Sequence, residues 1–167
     1  MVAIAIEQTP QTQEITNNTR LEDRDSLRSV LATVPLFATL DTATLERMSA
    51  FAFRRTFTAG ERIVEEGRTA NGLFVVVHGR VDIVKGIDGP TPDVVATLGD
   101  GEPIGEMEIL AGWPRTASAI ACEETEAVGM DSWVFLDYLR EEPRLAMRLL
   151  QIMAKRLAET SAKLAED

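Results

Sequence analysis

Between Ile104 and Ala121 the chain reads IGEMEILAGWPRTASAIA, and this one segment holds a glycine–glutamate step, a short apolar run, a proline and an arginine. A helix N-terminus presents unpaired N–H groups and the positive end of its dipole, which together attract anions. Gly105 allows close approach to the backbone, and Glu106 to Ala111 have the composition of a single helical turn behind it. Arg115 follows Pro114, which fixes the direction of the chain, so its guanidinium can reach back as a bidentate partner for a phosphate. Glu106 repels phosphate but can accept hydrogen bonds from hydroxyls such as those of a ribose. Cation, hydroxyl acceptor and helix turn together make a sugar–phosphate cradle.

The flanking sequence must supply the frame. Residues 1–24 are polar and aperiodic after the first six, and are expected to be a disordered tail. From Asp25 the pattern SLRSVLATV is helical and stops at Pro35. LDTATLERM reads as a second helix, with Asp41 as its cap and Leu40 and Leu45 placed as a hydrophobic staple. The period then changes. RRTFTAGERIVEEG, GLFVVVHG, RVDIVKG, DVVATLG, TASAIACEE and TEAVGMDS are short β-branched runs separated by turn residues, the pattern of a barrel, roll or sandwich. From Ser132 the helical period returns in SWVFLDYLREE, broken at Pro143, and in RLAMRLLQIMAKRLAETSAKLAED. In this last helix Leu145, Leu149, Ile152, Arg156 or Leu157, Thr160 and Leu164 fall on one stripe. The expected fold is α+β: an eight-stranded antiparallel β-roll, jelly-roll-like, over residues 53–131, with N-terminal helices and two C-terminal helices over 132–165, all within one domain spanning 25–167.

Composition narrows the function. The 167 residues carry a formal net charge of −10, which disfavours partners bound mainly through phosphate, so neither nucleic acid nor an anionic membrane is an expected partner. The longest apolar run, Leu73 to Val77, is too short to cross a bilayer, and the N-terminus lacks the basic start of a cleaved signal. Cys122 is the single cysteine, which fits a reducing compartment and a cytoplasmic location.

The segment from Gly105 to Ser118 resembles the phosphate-binding cassette of the cyclic nucleotide-binding domain. Gly105, Glu106, Met107, Ile109, Leu110, Pro114, Arg115, Thr116, Ala117 and Ser118 fit its pattern, and the resemblance runs from about Leu27 to Lys163. VPLFATL is similar to the family's entry into the domain, and AGERIVEEG followed by LFVVVHGRV to its first hairpins. The resemblance implies that Glu106 binds the ribose 2′-hydroxyl and Arg115 the cyclic phosphate, with N–H groups around Met107, Thr116 and Ala117 adding to the phosphate site. Glu108 departs from the pattern, because that position is usually small or neutral. It is expected to point outward to solvent, with weakened affinity as the alternative.

MRLLQIMAKRLAETSAKL is similar to the long helix of bacterial catabolite-activator-type cAMP receptors. In that branch the helix pairs with its copy in a homodimer and a Thr-Ser step contacts the adenine, which here points to Thr160 and Ser161. Thr116 resembles instead the threonine of domains that bind cGMP, although it also occurs in domains that prefer cAMP. The expected ligand is cAMP, with cGMP as the alternative. The sequence ends at Asp167, without the helix-turn-helix domain of the catabolite-activator branch, so a stand-alone sensor acting on an unidentified protein partner or through a homodimer is expected. The other reading is a ligand-independent interaction module that keeps the fold.

Other residues point to no further chemistry. His78, the only histidine, has no cysteine ligands near it and is expected to be structural, with no metal site. Cys122 is expected to be buried, Trp113 either to cover a ligand or to pack, and Trp133 to be a core or dimer contact. No nucleophile–base pair is present that would support catalysis, and no catalytic residue or cofactor is expected.

Overall fold

The computed structural model describes residues 26–166, so the expected N-terminal tail lies outside the described residues. Two helices come first, α1 (residues 26–33) and α2 (Thr42–Ser49). Asp41 caps α2 as its spacing implies, its carboxylate accepting from the Thr44 N–H at 2.7 Å. Leu40 and Leu45 are both buried in the same apolar cluster beside it.

Eight antiparallel strands follow: β1 (Ala52–Phe57), β2 (Arg62–Val64), β3 (Gly72–His78), β4 (Val81–Lys85), β5 (Asp93–Leu98), β6 (Pro103–Ile104), β7 (Ser118–Ala121) and β8 (Thr125–Asp131). They form two four-stranded sheets, ordered β1-β8-β3-β6 and β2-β7-β4-β5. The short helix α3 (Glu106–Ala111) lies between β6 and β7, and α4 (Ser132–Glu141) and α5 (Pro143–Glu166) complete the described chain. Pro143 is the first residue of α5, where its missing N–H has no helical partner to lose. The expected α+β roll with helices at both ends is the observed architecture.

Two cores hold it together. Phe57, Val76, Val81, Leu98, Ile104 and Ala127 fill the space between the sheets. Leu31, Phe37, Met48, Phe135, Leu145 and Leu149 pack the helices against the outer face of β3 and β8. β3 feeds both cores, because alternate side chains leave opposite faces of a strand: Leu73 and Val75 meet the helices while Val76 faces the roll. Gly129 on β8 is needed for a different reason. A Cβ there would lie 2.5 Å from the Phe53 ring, whose edge packs against Phe74.

Several sequence expectations need correction. The stripe along α5 divides: Leu145 and Leu149 are buried, Ile152 packs against the helical core, and Arg156 is half-buried, whereas Leu157, Thr160 and Leu164 are exposed. Of the two places expected for Trp133, the core is excluded: it is exposed and meets Phe51 edge-on, with ring centroids 6.2 Å apart. Cys122 is only partly buried, since it stands just beyond the end of β7. No described helix is long and apolar enough to cross a membrane.

Candidate functional site

The site grows from the junction of β6 and α3. Gly105 is the N-cap of α3 with φ 85° and ψ 15°, a left-handed conformation that costs a side-chain-bearing residue about 1–2 kcal/mol. A side chain would also displace the guanidinium, because a Cβ on Gly105 would lie 1.9 Å from Arg115 Nη1. Gly112, also left-handed at φ 70°, ends the helix after six residues and turns the chain toward Arg115.

Arg115 is clamped at both ends. Its backbone N–H donates to the Arg68 carbonyl and its carbonyl accepts from the Gly67 N–H, each at 2.8 Å, which ties the segment before β7 to the β2–β3 loop. Its guanidinium donates from Nη1 to the Gly105 carbonyl at 3.0 Å and from Nη2 to the Gly72 carbonyl. The residue is 6% exposed, yet among the described residues no carboxylate forms an ion pair with it. Burial pulls its pKa down, opposed by the fields of Glu108 and Glu106. A cavity of about 220 Å³ opens beside it, lined by Ile63, Arg68, Asn71, Gly72 and Phe74 among others.

Glu106, the first residue of α3, is 1% exposed. Its carboxylate pairs with Arg156 Nη1 of α5. Burial raises its pKa, and the Arg156 guanidinium opposes that rise. Arg156 also donates from Nη2 to the Pro103 carbonyl at 2.8 Å and stands 3.8 Å from the Glu102 carboxylate. Its Nε is buried and has no hydrogen-bond partner among the described residues. Sequence reasoning did not select Arg156 as a site residue. The available signal was a charge at a core-facing position of an amphipathic helix, in step with Leu149 and Ile152.

Glu108 does not point to solvent as expected. It is 9% exposed and folds over the loop, accepting from Thr116 Oγ1 at 2.7 Å and from the Thr116 N–H at 3.2 Å. Placed at the third position of α3, it faces the strand-bound segment behind the helix, so burial with two donors replaces hydration. Burial pushes its pKa up, but the Thr116 donors and Arg115 outweigh this and hold it below the usual carboxylate value.

The structure therefore gathers Gly105, Glu106, Arg115 and Thr116 at one place, with Ala117 buried next to them. Met107 belongs to the same helix turn, its side chain half-exposed. Thr160 and Ser161 are not in the cradle: both are exposed on α5, Thr160 one turn beyond Arg156. Trp113 is exposed and belongs to neither apolar core. His78 is exposed, its Nδ1 3.3 Å from Asp100 Oδ2, and no metal-binding cluster occurs among the described residues.

Comparison with known proteins gives the family and the fold. The family described as "Cyclic nucleotide-binding domain" matches residues 54–142. The "Cyclic AMP receptor protein" of Thermus thermophilus is 32% identical over 78% of this chain and 60% of its own length. The chain thus spans about 60% of the length of the first curated relatives that it matches. The solved N-terminal domain of a transcriptional regulator from Streptomyces coelicolor A3(2) is 30% identical, with a TM-score of 0.58 over 81% of this chain and 94% of that one. The regulatory domain of Toxoplasma gondii PKA, solved with cAMP, shares the fold with a TM-score of 0.66 at 22% identity, over 85% of this chain and 52% of that one. Strand order, cassette geometry and the match over residues 54–142 together place this chain in the cyclic nucleotide-binding domain family.

Proposed function

We propose that this domain is a non-enzymatic cyclic nucleotide sensor that binds cAMP, with cGMP as the alternative, and signals through α5 to a protein partner or a second copy. Arg115 carries this reading. A buried guanidinium held by two carbonyls, which feels the Glu108 and Glu106 carboxylates through space but pairs directly with none among the described residues, is completed by a group that brings one negative charge into contact with it. A cyclic phosphate carries one such charge. In this assignment Arg115 holds the phosphate, with N–H groups at Met107, Thr116 and Ala117, and Glu106 accepts from the ribose 2′-hydroxyl. The names of two relatives support the choice of base: the Thermus protein is a cyclic AMP receptor and the Toxoplasma domain was solved with cAMP.

Glu106 also supplies a route for the signal, because it already holds Arg156 of α5. A ligand hydroxyl arriving at that carboxylate changes the balance of the pair, and α5 responds if the two arrangements bind ligand with different affinity. Thr160 and Ser161, the next turn along, are the positions assigned to the base edge when α5 closes. A cytoplasmic setting suits such a sensor.

The test is calorimetric titration of the protein with cAMP and then cGMP. A saturable heat with a dissociation constant in the micromolar range or tighter, about −8 kcal/mol or better, is expected, and Arg115→Ala should weaken it by about 1.5–3 kcal/mol. Silence with both nucleotides on folded protein would overturn the reading. The place of Glu108, inside the cassette with its carboxylate on Thr116, favours the second reading, a ligand-independent interaction module. Under that reading saturating nucleotide leaves the melting temperature unmoved, whereas a ligand bound only by the native state must raise it.

A further inference from the structure

We propose that the Glu108 carboxylate is an internal occupant of the anion position, so that an anionic ligand must displace it from Thr116 before the cassette can close around a phosphate. This rests on the cyclic nucleotide reading above and names the residue that sets affinity within it. Two donors from one residue, the Thr116 N–H and hydroxyl, already converge on Glu108 Oε1 at 3.2 and 2.7 Å. They directly follow Arg115, the buried cation to which the phosphate is assigned. A carboxylate there resembles part of a phosphate: it offers negatively charged oxygen to an N–H and an O–H at the edge of a cationic site.

The electrostatics agree with the geometry. Glu108 is the leading charge that opposes the effect of burial on Arg115, and Arg115 in turn helps to keep Glu108 ionised. The two are coupled through space without an ion pair between them. Glu108 is nine-tenths buried in this arrangement, so its release exposes a carboxylate and frees Thr116 in one movement. That exchange favours an anion over a neutral ligand only by as much as the new contacts exceed those given up. A neutral nucleoside, which leaves the anion position alone, has no reason to displace the carboxylate.

The experiment is titration of wild type, Glu108→Ala and Glu108→Gln with cAMP and, separately, with adenosine, on samples whose melting temperatures establish that they are folded. Glu108→Ala frees both Thr116 donors, and Glu108→Gln keeps the acceptor without the charge, so Gln maintains the local contact if Ala loosens the loop. Expected are cAMP affinities that tighten about tenfold or more in Glu108→Ala and by a smaller factor in Glu108→Gln, with adenosine affinity changed by less than about twofold. Binding of cAMP by the variants but not by wild type would support the inference equally. Wild type that binds cAMP as tightly as both variants, or more tightly, would overturn the inference alone. Failure of all three proteins to bind cAMP or cGMP would overturn it together with the cyclic nucleotide reading.

Discussion

Arg156 of α5 pairs with Glu106 of α3 across fifty residues of sequence, and this joins the last helix to the centre of the cassette. The carboxylate side is fully buried, whereas the guanidinium side chain retains 24% of its exposure. Arg156→Met should therefore leave a buried carboxylate without its counter-charge and destabilise the fold by about 2–3 kcal/mol, below the usual 3–5 for a fully buried pair. Glu106→Gln combined with Arg156→Met should cost less than the sum of the single changes, with a coupling of about 0.5–3 kcal/mol. Urea unfolding of the four proteins measures the cycle. Strict additivity would mean that the pair carries no coupling in solution.

The same carboxylate predicts a pH effect of definite sign. Burial raises the Glu106 pKa above its usual 4.5, with Arg156 opposing. The native state therefore binds this proton more tightly than the unfolded chain. Its contribution to stability is fully present below about pH 4.5 and is lost as pH rises through the raised value. Glu108 acts in the opposite sense because its pKa is lowered, but it is present in both wild type and Glu106→Gln, so only its repulsion with Glu106, which adds to the same rise, enters their difference. The unfolding free energy of wild type minus that of Glu106→Gln should fall as pH climbs from 4.5 toward 7. A rise over that window would show that the Arg156 pair outweighs burial.

The cassette was legible in the sequence because its chemistry is local. Gly105, Glu106 and Arg115 lie in one segment, and a left-handed cap, a helix turn and a returning guanidinium need little beyond that segment and the β2–β3 loop it clasps. Strands were legible through glycine-spaced β-branched runs, and α2 through Asp41 and the Leu40–Leu45 staple. Arg156 was not, because its role depends on where a helix fifty residues away docks, which periodicity does not report. Glu108 was misplaced for a related reason. A carboxylate is expected in water unless donors await it, and those donors, on Thr116, become neighbours only once α3 and the β7 approach are folded together.

Gly105→Ala tests how tightly the cassette backbone is specified. The substitution places a methyl group at φ 85°, in conflict with the Arg115 guanidinium. The backbone strain is about 1–2 kcal/mol, and the clash forces Arg115 off the Gly105 carbonyl. Thermal unfolding should record a lower melting temperature, and cAMP affinity should fall by more than the tenfold that roughly 1.4 kcal/mol represents. Gly112→Ala, where a Cβ meets nothing within 4 Å, carries the strain without the clash. It should lower stability comparably while changing affinity less, and equal affinity losses in the two variants would argue against the Arg115 contact.

The outer face of α5 sets the final prediction. Met147, Leu150, Leu157 and Leu164 are exposed, and with Ala154 and Ser161 they recur at alternating three- and four-residue steps, the spacing that the seam of a two-helix coiled coil requires. This seam lies on a different face from Leu145 and Leu149, which are buried against the rest of the domain, so α5 can hold its own core and a second copy at once. Leu150 and Leu157 are 60% and 69% exposed in the single chain, so replacing both with Glu removes little packing within the domain. Paired glutamates facing their copies across a seam would repel. Sedimentation should find wild type as a dimer and Leu150→Glu/Leu157→Glu as a folded monomer that still binds cyclic nucleotide. Wild type that sediments as a monomer, or a double variant that remains a dimer, would overturn pairing through this face of α5.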